Sequence, residues 1–235
     1  MTKAWGAVAF AMVLSACAPE RAPTPEPTPA TETQTPDFVD VRALAPDIVV
    51  EIRYAGADNF VGRPIAGYEA AVCLLSRDAA TALAAVHERL RASGRAIKVY
   101  DCYRPARAVA DFAVWARDLD DQRTKAEYYP NVDKAQLFEL GYIAERSGHS
   151  RGSTVDVTLV DWATGAEIDM GTSYDLFDPR SWPSDESVGA AARENRRVLA
   201  AAMRTYGFTP LQEEWWHFTL ENEPYPQTFF DVPVR

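Results

Sequence analysis

Behind Ser76 the apolar positions Ala79, Leu83, Val86 and Leu90 recur at i, i+4, i+7 and i+11. That 3.6-residue period predicts a helix capped by Ser76 and ending near Gly94. Ala96 to Tyr100 then reads as a short strand, and Pro105, suited to a first helical turn, opens a second helix toward Arg117. A third candidate helix starts near Asp133 and stops at Gly141. From Thr154 to Leu159 the order TVDVTL alternates instead. Val155, Val157 and Leu159 share one face and Thr154, Asp156 and Thr158 the other, so Asp156 points away from the apolar side. A long helix is predicted from about Glu186 to Tyr206, closed by Gly207. The aromatic run Trp215–Phe218 reads as a late strand, and Asp47–Tyr54 as a β-rich stretch that delivers Tyr54 to a turn. With no regular βαβ alternation and no internal repeat, these elements imply an α+β fold, helices packed on a mainly antiparallel central sheet.

The first 36 residues follow neither period. MTKAWGAVAFAMVLSAC carries one cation, Lys3, then an apolar run ending in Leu14-Ser15-Ala16-Cys17. This is the anatomy of a secretory signal, and its ending is similar to a bacterial lipobox, in which the cysteine is lipidated and becomes the first mature residue. An ordinary signal peptide with an incidental cysteine is the alternative. Ala18–Pro36 holds six Pro and five Thr and no aliphatic side chain larger than alanine. Such a stretch cannot bury enough apolar surface to fold and reads as an extended tether. The expected organisation is a signal at 1–16, a lipidated Cys17 and tether over 17–36, and a folded domain at 37–235. The expected location is the cell envelope, facing the periplasm. Ala18, where inner-membrane retention uses an aspartate, points to the outer membrane of a Gram-negative cell.

Composition narrows the partners. The 34 acidic and 24 basic side chains of the 235 residues give a net charge of −10, and loss of Lys3 with the signal makes it −11. That balance offers no electrostatic footprint for nucleic acid. At 47% apolar residues the chain can bury one substantial core and a small second lobe. No stretch of the body reaches the roughly 18–20 apolar residues of a spanning helix, which leaves the lipid anchor as the membrane contact. Export also changes how Cys73 and Cys102 are read: outside the reducing cytosol a single disulfide between them is permitted, with two buried free thiols as the alternative.

Three histidines make the candidate chemistry tractable. His87 sits inside the first predicted helix and reads as a structural or surface residue. His149 lies in SGHSRGSTVD, and His217 closes EEWWH. Two imidazoles and one carboxylate are a sufficient protein set for a catalytic zinc that keeps one position open. Asp156 follows His149 by seven residues on the next strand, and a turn folding back onto that strand can bring the two together. His217 must arrive from a neighbouring strand. A capping His149 and a buried, hydrogen-bonded His217 satisfy the same spacing. Glu214 stands three residues before His217, so on an ideal strand the two would face opposite ways. They share a site if a bend intervenes or if Glu214 belongs to the preceding loop. Glu214 then reads as a general base for the attacking water, or else as a solvent-facing acid. Arg104 at a helix start opposes the macrodipole, a small cost that favours a role as a fork-shaped donor to a developing oxyanion.

Asp101-Cys102-Tyr103-Arg104-Pro105, Ser147–Leu159 (SGHSRGSTVDVTL) and Glu214-Trp215-Trp216-His217 together resemble the zinc D-alanyl-D-alanine dipeptidases of the VanX type. Asp58-Asn59-Phe60 with Gly62, Tyr128–Asn131, Met170-Gly171, Tyr174-Asp175, Glu223–Pro226 and Phe230-Asp231 extend the match from Tyr54 to the C-terminus. The resemblance implies a hedgehog/DD-peptidase-like zinc peptidase fold and one zinc per chain on His149, Asp156 and His217. It also implies Glu214 as catalytic acid/base and Arg104 as oxyanion donor. Asp175 would hold the substrate ammonium, with Tyr54 and Ser147 lining the same pocket, and Asp101 would orient Arg104. Gly148 departs from the pattern: relatives carry serine before the histidine, so a hydroxyl that could meet the substrate carboxylate is missing. A small D,D-dipeptide is the implied substrate. A zinc D,D-carboxypeptidase or endopeptidase on peptidoglycan stem peptides, and a metal-bearing binding lipoprotein without turnover, remain the competing functions.

Overall fold

The computed structural model describes residues 1–2 and 35–235. The predicted signal, Cys17 and the tether up to residue 34 lie outside the described residues. From Pro36 to Arg235 the chain forms one unit, not divided into lobes. It opens with β1 (Phe38–Asp40), β2 (Val49–Val50) and β3 (Leu74–Ser76), and β1 and β3 pair antiparallel as a two-stranded sheet. The central sheet adds β4 (Arg95–Asp101), β5 (Thr154–Asp161), β6 (Phe208–Pro210) and β7 (His217–Leu220) in the order β2-β4-β5-β7-β6. Only the short β2–β4 pair is parallel, so the sheet is mainly antiparallel and the fold α+β.

Among the described residues four α-helices accompany it: α1 (Arg77–Arg91), α2 (Ala106–Arg117), α3 (Lys125–Tyr128) and α4 (Ala190–Thr205). The Ser76 hydroxyl accepts the Ala79 amide at 3.4 Å and starts α1, whose Ala79, Leu83, Val86 and Leu90 are all buried. α1 and α4 pack on each other and against β4, β5 and β6, with Leu199 and Met203 of α4 fully buried. Each such aliphatic side chain contributes about 1.5–3 kcal/mol by leaving water. His87 is structural: its ring accepts the Ile97 amide at 3.3 Å and meets Asp47 at 3.2 Å.

Three expected elements differ. The stretch from Asp133 to Gly141 yields only a single 3-10 turn at Lys134–Gln136, because Lys134 is drawn inside. Its ammonium donates to the carbonyls of Asp118 and Asp121 at 2.8 and 2.7 Å and sits 4.0 Å above the Trp115 ring. α4 begins at Ala190 rather than Glu186, because the Asp185 carboxylate accepts the Ser187 amide at 2.8 Å and holds that segment as a turn. The strand expected over Asp47–Tyr54 contracts to Val49–Val50, and Arg53–Ala55 turns as a 3-10 helix.

The register of the central sheet positions everything that follows. Lys98 faces Thr158 and Val99 faces Val157, so a regular ladder would next set Tyr100 against Asp156; a shift after Val99 sets Asp101 there instead. The extra residue turns the Asp101 side chain onto the Asp156 face. Asp156 is in turn paired with His217 on β7. Residues directly opposite one another in an antiparallel ladder project from the same face. Three adjacent strands thus present Asp101, Asp156 and His217 as one row.

Candidate metal centre

His149 joins this row from the chain segment just before β5. Gly148–Arg151 form a 3-10 turn whose cap is Ser147, its hydroxyl accepting the His149 amide at 3.3 Å. Gly152 ends the turn at φ 80°, and a Cβ there would collide with the Phe38 ring, so the sharp return onto β5 requires glycine. The return sets His149 Nε2 3.3 Å from Asp156 Oδ1 and 3.3 Å from His217 Nδ1, while His217 Nδ1 lies 3.1 Å from Asp156 Oδ1. Three donors at ~2.0–2.1 Å from a tetrahedral ion stand about 3.3 Å apart, so this triangle has the dimensions of one face of a zinc site. Two further observations fit an ion. Asp156 Oδ1 is buried with no hydrogen-bond partner among the described residues. The His149 Nδ1–H donates to the Cys102 carbonyl at 2.7 Å, which leaves the Nε2 lone pair free to coordinate.

The surrounding groups fix these donors. The Tyr174 hydroxyl donates to Asp156 Oδ2 at 3.0 Å, and Arg104 Nη2 lies 3.8 Å from the same oxygen, so Oδ1 is the free one. Burial opposes ionisation of Asp156, but the two imidazoles outweigh it and hold its carboxyl far below the usual range. Asp101 Oδ2 accepts from Arg104 Nε at 3.0 Å and lies 3.5 Å from His149 Nδ1; Asp101 Oδ1 accepts from Tyr68 at 2.6 Å. Arg104, its guanidinium above the Tyr54 and Phe112 rings at 5.1 Å each, is thus locked in place with its charge beside Asp156. Tyr68 and Tyr174 were missed by sequence reasoning. Tyr174 stood within the quoted Tyr174-Asp175 match, and nothing in local spacing distinguishes a tyrosine that holds a ligand from one that fills the core.

A cavity of about 250 Å³ opens over the triangle, smaller than the ~300–1,000 Å³ common for drug-sized ligands. Arg104, Ser147, Gly148, His149, Asp156, Asp175, Glu214 and His217 line it, with Tyr54, Phe60 and Phe112 among its apolar walls. Glu214 belongs to the loop before β7: the His217 amide turns back to the Glu214 carbonyl at 3.4 Å, and this reversal puts both side chains on one side. Glu214 Oε2 ends 3.4 Å from His217 Nδ1, and burial raises its carboxyl to about 7, where a group both takes and gives protons near neutrality.

Asp175 is buried in the cavity wall at φ 60°, a left-handed conformation uncommon outside glycine and asparagine. Burial, and then the nearby Asp156, push its carboxyl well above the ordinary range. Its Oδ2 accepts the Tyr54 hydroxyl at 2.8 Å, and Tyr54 and Tyr174 hydroxyls meet at 3.2 Å. Asp175, Tyr54, Tyr174 and Asp156 therefore form one buried chain of oxygens. Cys73 and Cys102 form a disulfide with Cα atoms 5.3 Å apart.

Comparison with known proteins places this geometry among relatives. A family model described as Peptidase_M15, D-ala-D-ala dipeptidase, matches residues 34–235. The D-alanyl-D-alanine dipeptidase of Streptomyces coelicolor is 43% identical over 200 residues, covering 85% of this chain and 99% of the relative. That of Enterococcus faecalis is 41% identical over 184 residues, 78% of this chain and 91% of its own. That of Escherichia coli is 38% identical over 188 residues, 80% and 86% respectively.

Proposed function

The chain belongs to the D-alanyl-D-alanine dipeptidase family of M15 peptidases, and on that premise we propose that it is a zinc metallopeptidase that hydrolyses free D-alanyl-D-alanine in the cell envelope. The observation that carries this reading is the triangle of His149, Asp156 and His217 donors at 3.1–3.3 Å, at the floor of a cavity too small for much more than a dipeptide. His149, Asp156 and His217 would hold the zinc, which would supply Lewis acidity and make a water easier to deprotonate. Glu214 takes the proton of the attacking water and returns it to the leaving amine. Arg104, fixed by Asp101, faces the oxyanion. Asp175 receives the substrate ammonium, its Oδ2 steadied by the Tyr54 hydroxyl. A chain extended at its N-terminus would leave that carboxylate buried and unpaired, which restricts the site to free dipeptides.

Location shapes the role. A lipid-anchored Cys17 and a Pro/Thr-rich tether put the enzyme outside the cytoplasmic membrane, at the outer membrane if the cell is Gram-negative. There it meets dipeptides released from the wall rather than the cytosolic pool, and it salvages or trims them. The test is release of free D-alanine from D-alanyl-D-alanine before chelation, after chelation and after zinc is restored, alongside an N-blocked analogue. Activity that follows zinc and spares the blocked compound supports the reading. Rapid cleavage of the blocked compound indicates a D,D-carboxypeptidase instead, and binding without release indicates a receptor.

A further inference from the structure

We propose that the Cys73–Cys102 disulfide is a positioning element of the metal centre, so that the chain binds zinc at full strength only after these two thiols have been oxidised. The disulfide joins the residue before β3 to the residue after β4. Cys102 is therefore next to Asp101 of the functional row, and its carbonyl is the acceptor for His149 Nδ1–H at 2.7 Å. Two residues on, the Arg104 amide donates to the His149 carbonyl at 3.3 Å. The short run from Asp101 to Arg104 thus grips both the ring and the backbone of His149, and through Asp101 it grips Arg104 as well. This run is held to β3 by the Tyr103 amide on the Leu74 carbonyl at 2.9 Å and, covalently, by the disulfide. Cys73 is anchored in turn, its carbonyl accepting the Val41 amide at 3.0 Å.

Two thiols cannot approach as closely as two bonded sulfurs, about 2 Å apart. Both sulfur-bearing residues are fully buried, and without the bond the run from Asp101 to Arg104 loses its covalent tie to β3 and is free to shift against it. A shift of about 1 Å would exceed the tolerance of a 2.7 Å hydrogen bond and free the His149 ring to turn. Loss of a partner that orients a liganding histidine typically costs 10–100-fold in metal affinity. Oxidation removes two thiol protons and two electrons, which pass by thiol–disulfide exchange to a disulfide oxidant that leaves as a dithiol. The cytosol keeps thiols reduced and compartments outside it do not. Burial then shields the finished bond, so oxidation acts once, during maturation, and not as a reversible switch. Taken with the activity proposed above, on which only this consequence rests, a newly made chain would spare the dipeptide of its own cytosol.

The test compares the full oxidised chain with the Cys73→Ala/Cys102→Ala double variant, and with Cys73→Val/Cys102→Ala, which refills more of the lost volume. Zinc affinity is measured by competition with a chromophoric chelator at a temperature where circular dichroism shows the chains folded. A Leu83→Ala variant, destabilised at a buried position that does not line the cavity, is the control. The expected result is a 10–100-fold weaker zinc affinity in the folded cysteine variants and an unchanged affinity in Leu83→Ala. Affinity within twofold of the oxidised chain overturns the proposal. So does failure of both cysteine variants to fold, since a folded, weakly metallated form is required. Absence of dipeptide hydrolysis by the oxidised, zinc-loaded chain would reject the activity while leaving the zinc comparison standing.

Discussion

The two faces of β5 obey opposite rules. Val155, Val157 and Leu159 are fully buried on one face and stabilise the fold by removing apolar surface from water. Asp156, on the other, is just as buried but is surrounded by Asp101, Asp175, Glu214, Arg104 and two imidazoles. Carboxylates gathered in so small a volume raise one another's pKa, as burial also does for Asp101. One strand therefore carries a face that pays for folding and a face that burdens it, and only the second can do chemistry. Exchanging a residue on each face should separate stability from activity.

The largest expected effect is on the polar face. Glu214→Gln keeps shape and polarity but removes the proton carrier. It should lower kcat for D-alanyl-D-alanine by about 10²–10⁴-fold, with zinc content unchanged by metal analysis and Tm little altered. Substantial turnover in a fully metallated Glu214→Gln chain would exclude Glu214 as the base. Asp156→Asn should instead lose the metal itself, because Oδ1 is the anionic corner of the donor triangle.

On the apolar face, Leu159→Ala should destabilise the chain by about 2–5 kcal/mol through lost burial and the cavity left behind. Urea unfolding would read the loss, and kcat per folded, metallated molecule should stay within about twofold. A selective fall in kcat at unchanged stability would break the division between the faces.

The apolar face was also the more legible in the amino-acid order. Alternation in TVDVTL located both faces, and the period behind Ser76 fixed α1. His149, Asp156, His217 and Glu214 could be named from type and spacing. Their convergence could not, because it depends on pairing between strands about 60 residues apart and on a one-residue shift after Val99 that no local pattern announces. The helix expected after Asp133 failed for a related reason. Lys134 is a good helix former, yet two backbone carbonyls and the Trp115 ring, distant in sequence, claim its ammonium. Long-range polar partners overrode local propensity in both places.

Asp175 tests the burden on the polar face directly. Its folded pKa is raised, so the stability it lends is complete below the ordinary carboxylate value of about 3.9 and is lost as pH rises through the folded value. A neutral Asp175→Asn side chain, which also tolerates φ 60°, escapes that loss. In metal-stripped protein its Tm advantage over the parent should therefore be greater at pH 7 than at pH 4. The same change should raise KM for D-alanyl-D-alanine about 10–100-fold by removing a charged hydrogen bond to the ammonium. A variant that is neither more stable at pH 7 nor weaker in binding would show that Asp175 is an ordinary turn residue.

Gly148→Ser should have the smallest effect, and its sign bears on how the polar face meets the far end of the substrate. Gly148 lines the cavity, and a Cβ there would stand 3.0 Å from Thr154 Oγ1, which is engaged with Thr219 Oγ1 at 2.9 Å on the neighbouring strand. Those hydroxyls must yield by a few tenths of an ångström, a strain of about 1 kcal/mol that thermal unfolding can detect. The same Cβ would stand 3.4 Å from Arg151 Nη2, and neither Arg151 nor Thr154 lines the cavity, so the new side chain starts on the far side of the turn from Ser147 and Arg104 and can add little to their hold on an anion. KM for D-alanyl-D-alanine should fall less than tenfold, while KM for the C-terminally amidated dipeptide should stay constant. An equal change for both substrates would mean that the added hydroxyl only reshapes the turn carrying His149, and that the missing serine was never a carboxylate contact in this chain.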